Sequence, residues 1–145
     1  MSGNVSGWDK GQTLAILSHG YYKNHNVPGR YALFSTAFGG EPFPNPGYPA
    51  MPAGLTLLDV MNNDKINGKG ANKTGGPGNV NMQLAAMYLN AALSGGLTYW
   101  PVIDSVNGPF YTLSEYASYL YDQAAAEPAK IGLELDKIIQ AHHAP

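Results

Sequence analysis

Not one of the 145 residues is cysteine. That absence rules out disulfides, zinc–thiolate sites, iron–sulfur clusters and thiol nucleophiles. Charge is also scarce, with 12% of residues Asp, Glu, Lys or Arg, about half the share usual for a soluble domain. The 8 basic and 10 acidic residues leave a net charge of -2, and no run of Lys or Arg occurs. Both a nucleic-acid footprint and a polybasic patch for anionic lipid are therefore missing. No apolar run approaches the roughly 18 residues of a membrane span, so membrane insertion is not expected. The apolar stretch 14–17 is too short for a signal-peptide core, and Met1-Ser2-Gly3 lacks a positive start. The chain accordingly reads as cytosolic or as a mature form written without its signal.

What is present is a 44% hydrophobic content, in a chain of single-domain length able to bury roughly two-thirds of its unfolded surface. Asn, Ser, Thr, Gly and Tyr do much of the work that charge does elsewhere. Such a surface repels like neighbours weakly and hydrogen-bonds readily. That suits contact with other copies, with a polymer or with a cell surface.

Residues 1–12 are rich in Gly, Ser and Asn and read as a flexible or partner-ordered arm; residues 13–145 read as one helical domain. Thr13 is a candidate cap for a short helix with Leu14, Ile16 and Leu17, and Gly20 is a natural break after it. The turn Pro28-Gly29 precedes a short helix over 30–38, with Tyr31, Phe34, Ala37 and Phe38 on one face. Residues 39–54 hold five prolines interleaved with Phe43, Tyr48 and Met51, the pattern of an extended loop pinned by its aromatics. Residues 55–61 suggest one or two helical turns with Leu57, Leu58 and Met61 inward. Residues 62–79 form a second long loop, dense in turn dipeptides. The spacing predicts a central helix over 80–93, stopped by Gly95-Gly96. Residues 97–110 read as extended. Thr112-Leu113-Ser114-Glu115 is a capping box opening a helix to about Ala126. Pro128 starts a last helix with the stripe Ile131, Leu135, Ile138 and Ile139. The fold class is mostly α: a small helical bundle with two long Pro/Gly/Asn-rich ordered loops.

The segment Gly20-Tyr21-Tyr22-Lys23-Asn24-His25 resembles the Gly-Tyr-Trp-Lys-Asn-His hallmark of a family of secreted bacterial surface domains. Residues 55–62 resemble that family's leucine-rich helix ending in Asn, and residues 83–93 its alanine-rich helix. The stretch Tyr111-Thr112-Leu113-Ser114-Glu115-Tyr116 matches its next helix start. The blocks lie in the family's order and reach from about Leu17 to the C-terminus. Two departures stand out: Tyr22 replaces the usual Trp, and the cysteines often found in the family are absent. The resemblance implies a helical domain in an extracellular or cell-surface setting. It implies no reaction.

The hexapeptide is the leading candidate site. Tyr21 and Tyr22 offer rings and hydroxyls, Lys23 a cation for an aromatic face, and Asn24 and His25 hydrogen bonds to the following turn. Two readings follow: a ligand-contacting loop, or a structural clasp in which Tyr22 and His25 lock the first segment to the core. Calcium is a weaker candidate ligand. Asp59, Asn63, Asp64 and Asn67 supply oxygens, but Lys65 and Ile66 break the EF-hand register and no Glu closes it. The histidines His19, His25, His142 and His143 have no metal-motif spacing. No G-x-S-x-G elbow, Walker loop or framed carboxylate pair occurs, which points away from catalysis and names no catalytic residue.

Two functions fit these features. One is an extracellular or cell-surface structural protein that self-associates into a homo-oligomer or filament, with Trp8 in the arm as the anchor in the adjacent subunit. The other is a secreted module that binds a surface polysaccharide or other ligand on its 10 Tyr and 2 Trp side chains, without catalysis. Neither calls for a resident cofactor.

Overall fold

A computed structural model describes residues 17–66, 69–93 and 112–142. The arm at 1–12, the proposed helix cap Thr13, and the extended reading of 97–110 lie outside them. The described residues are mostly helical, as the apolar spacing requires. Six α-helices occur among them: α1 His19–Asn24, α2 Phe34–Phe38, α3 Leu57–Asn62, α4 Val80–Leu93, α5 Leu113–Ala126 and α6 Pro128–His142. A two-stranded antiparallel ribbon joins β1, Lys65–Ile66, to β2, Lys69–Lys73. A 3₁₀ turn at Pro77–Asn79 leads into α4.

Helix α4 is the centre. From Val80 to Ala91 all of its side chains but Tyr88 are buried. A helix with so little polar face is stable only when neighbours cover it all round, and α1, α3, α5 and α6 all pack on it. The core cluster joins Leu84, Met87 and Leu89 of α4 to Tyr22, Phe34, Leu57, Met61, Leu120, Leu135 and Ile139. Leu84 and Leu89 of α4 are fully buried; of the stripe expected on the last helix, Ile131, Leu135 and Ile139 are buried and Ile138 lies partly buried at the margin.

Helices α3 and α5 start where their capping residues stand. Thr112 Oγ1 accepts from Glu115 N at 3.0 Å, and Glu115 Oε1 accepts from Thr112 N at 3.1 Å. Thr56 and Asp59 build the same reciprocal box at the head of α3, with both bonds at 2.9–3.0 Å. Each box satisfies backbone donors that the first turn leaves open.

Two expectations need correction. Gly20 does not break the chain; it lies inside α1, whose N-cap is Ser18. The helix expected over 30–38 is confined to its last five residues. Leu33 instead pairs with Thr56, and Leu57 N and Leu58 N donate to the carbonyls of Ala32 and Arg30. Those cross-chain bonds use carbonyls a helix would need, and Tyr31 turns out to solvent. The loop over 62–79 carries the ribbon and the 3₁₀ turn.

The proline-rich stretch 39–54 is indeed an ordered, non-helical loop tied to the core. Tyr121 of α5 donates to Glu41 O at 2.6 Å and stacks on Phe43 with ring centroids 4.7 Å apart. Gly40 leaves the space for that ring, since a Cβ there would fall 2.5 Å from the Tyr121 hydroxyl.

Candidate functional site

The hexapeptide forms the body of α1. Ser18 Oγ accepts from Tyr21 N at 3.3 Å and starts the helix. Arg30 closes its other end, donating from one guanidinium nitrogen to Tyr22 O at 2.9 Å and Lys23 O at 3.0 Å. A cation at a helix C-terminus satisfies orphan carbonyls and complements the negative end of the dipole. The other terminal nitrogen of Arg30 donates to the Tyr31 hydroxyl at 3.1 Å.

Tyr22 is the side chain that docks this helix. Its ring is buried in the core, and its hydroxyl donates to Asn90 Oδ1 at 2.8 Å. The same oxygen accepts from Leu17 N at 2.9 Å. Asn90 Nδ2 donates to Leu17 O and Ala86 O, each at 2.9 Å. One buried amide thus makes four hydrogen bonds, its full capacity: two hold the segment entering α1 and a third holds Tyr22 within it. Burial pushes the Tyr22 phenol well above the ordinary tyrosine range, with Tyr21 adding to the shift.

Tyr21 is partly buried against the core, while Lys23, Asn24 and His25 are exposed. Tyr21 packs edge-on against Tyr22 with centroids 5.5 Å apart, and stacks on the His25 ring at 3.9 Å and 11°. His25 is exposed, and its Nδ1 lies 2.8 Å from Tyr21 O. The carbonyl can only accept, so Nδ1 carries the proton. Asn24 Nδ2 donates to Gly20 O at 3.0 Å, and Lys23 is exposed. The clasp is therefore Tyr22 with Asn90. His25 caps its own helix at the surface and does not reach the core, contrary to its expected role as a buried half of the clasp.

His19, the first residue of α1, is half-buried, and its Nδ1 finds no hydrogen-bond partner among the described residues. Burial first, then Lys23, pull its pKa below the ordinary imidazole value, while Asp136 opposes them. Gln83 of α4 is also buried. Its Nε2 donates to Asp136 Oδ1 at 3.4 Å, and its Oε1 has no partner among the described residues.

The calcium candidates serve the backbone. Asp59 Oδ2 is the acceptor of the α3 capping box. Asn63 adopts a left-handed conformation at the end of α3, and its Oδ1 accepts from Gly75 N at 3.0 Å. Asp64 contributes its backbone: its N–H donates to Thr74 Oγ1 at 2.8 Å, and its carbonyl accepts from Thr74 N. Asn67 and Trp8 lie outside the described residues. Among the described residues no three His, Cys, Asp or Glu side chains group as metal ligands.

A second amide anchor escaped the sequence reading. Asn81, nine residues before Asn90 on α4, accepts from Phe43 N at 2.9 Å. It also donates to Phe43 O at 2.9 Å and Thr74 O at 3.0 Å. It ties the proline-rich loop and the end of the ribbon to the central helix at one point. Gly76 permits this approach, having a φ of 78° and a Cβ position only 2.5 Å from Asn81 Nδ2. The signal was legible: amides on a helix otherwise apolar must be buried, and buried amides must find partners. Part of the amide content assigned above to the surface is thus internal scaffolding. Compared with family models, with curated proteins and with solved structures, the chain matches none.

Proposed function

We propose that the protein is a non-catalytic structural domain of the cell exterior that self-associates into an oligomer or filament. The observation that carries this reading is a surface poor in charge on which large apolar side chains stand exposed. Tyr31 and Leu33, two residues apart, are 61% and 43% accessible, and Leu93 and Leu133 are similarly open. Weak repulsion between copies and aromatic or aliphatic anchors are what an interface between like molecules uses. The polar groups of α1 and of the two long loops are largely engaged in holding backbone, which suits a rigid building block. The extracellular setting rests on the resemblance of the hexapeptide, and the anchoring role of Trp8 on its place in the arm. Light scattering of the purified chain over a concentration series, with negative-stain imaging, tests the reading. Assemblies that weaken when residues before Lys10 are removed support it; a monomer at every concentration overturns it.

A second reading has one observation in its favour. The stacked Tyr21–His25 pair presents an aromatic face beside exposed Lys23 and Asn24, a platform on which a sugar ring of a surface polysaccharide stacks. Glycan-array binding by a monomer, lost in Y21A, selects this module over the assembly.

A further inference from the structure

Lys65, Lys69 and Lys73 place three of the chain's 8 basic residues on the ribbon. Lys65 and Lys73 are direct cross-strand partners. Like charges set opposite one another destabilise a strand pair, so the ribbon retains an arrangement unfavourable to its own stability. Neither lysine makes an ion pair among the described residues, where the two ion pairs are Lys130–Glu127 and Lys137–Glu134 on the C-terminal helices. Residues 113–142 carry the opposite excess, five carboxylates against two lysines. Asp122 of α5 is exposed there without an ion pair among the described residues, and Glu127, between α5 and α6, is exposed beside Lys130.

We infer that the lysine ribbon of one copy docks on the acidic α5–α6 surface of a second copy. This rests on the self-association reading and names its contact. The two surfaces are unlike, so the contact is heterologous and propagates head to tail, giving an open chain unless the rotation closes a ring. A second copy is favoured over an anionic polymer because the chain itself supplies the complementary charge and is acidic overall, at -2. Lysines on short strands also discourage strand-to-strand addition, so the contact is made by ammonium and carboxylate groups and not by extending the sheet.

The test is sedimentation of the full chain in four forms: wild type, K65E/K73E, D122K/E127K, and an equimolar mixture of the two variants. Each variant alone should associate about tenfold or more weakly, as expected where like charges are brought together at an interface, and the mixture should recover co-assembly. Wild-type assembly should weaken at roughly 0.5 M salt, where the screening length is about 4 Å. Circular dichroism melts check that both variants fold. If K65E/K73E does not fold, K65E alone and D122K/E127K carry the comparison. Wild-type assembly with undiminished association of the reversed variants refutes the contact and leaves self-association standing. A monomeric wild type refutes both. Unchanged assembly of K65E/K73E with lost retention on dextran sulfate assigns the ribbon to an anionic polymer and refutes the contact.

Discussion

Replacing Asn90 by alanine removes the acceptor of the Tyr22 hydroxyl and of Leu17 N, and the donor to Leu17 O. The Tyr22 hydroxyl would be left in the core without a partner. That costs about 1–3 kcal/mol, and the two partly buried Leu17 bonds add about 0.5–1.5 kcal/mol each. The sum is roughly 2–6 kcal/mol, a large part of the ~5–15 kcal/mol that holds a domain folded. For a chain of this length, that corresponds to a melting temperature lower by about 6–20 °C. Y22F alone should cost only about 1 kcal/mol, because Asn90 Oδ1 keeps Leu17 N. On the N90A background Y22F should be neutral or mildly stabilising, since the hydroxyl has already lost its acceptor. Urea denaturation of the two single variants and the double variant should therefore give a coupling of about 1 kcal/mol or more. An N90A variant within about 0.5 kcal/mol of wild type, or a Y22F cost that adds in full to N90A, would refute the clasp.

N81A should lose about 2–4 kcal/mol, because Phe43 N, Phe43 O and Thr74 O lose their partner, and limited proteolysis should then cut within 39–54. G132A should lose about 1–3 kcal/mol in denaturant titration, although alanine favours helix by about 1 kcal/mol; the added Cβ would run into the Gly78 carbonyl oxygen and lie 3.1 Å from Val80 Cα. His19 has a folded pKa below its ordinary 6.5, so the unfolded chain takes up its proton first as pH falls. Stability is unaffected by this group above that value and declines as pH drops below about 6.5 towards the folded pKa; a pH series of melting temperatures should show the decline in wild type and a shallower one in H19Q.

Where local chemistry decides the outcome, the sequence was readable. Helix α4 runs Val80–Leu93 because its apolar residues are nearly continuous, and α5 starts at Leu113 because Thr112 and Glu115 cap each other. The Thr56–Asp59 box carried the same signal with Asp in place of Glu. Where long-range bonds decide, it was not. Gly20 continues a helix because Ser18 caps it and Asn90 holds the chain just ahead, against glycine's own preference. Residues 30–33 leave helix because their carbonyls serve the start of α3. The candidate site was legible in position but not in division of labour. Tyr22 and His25 stand three residues apart, and only the docking of α1 on α4 decides that one is buried and the other exposed. The role of Asn90, 68 residues from Tyr22, follows from no local pattern.

The most direct measurement is the molar mass of the purified chain by light scattering as concentration is raised into the high micromolar range, at low salt. Self-association predicts a mass rising well above the 15.4 kDa of one chain and falling again on dilution. A constant 15.4 kDa across the whole range would contradict it.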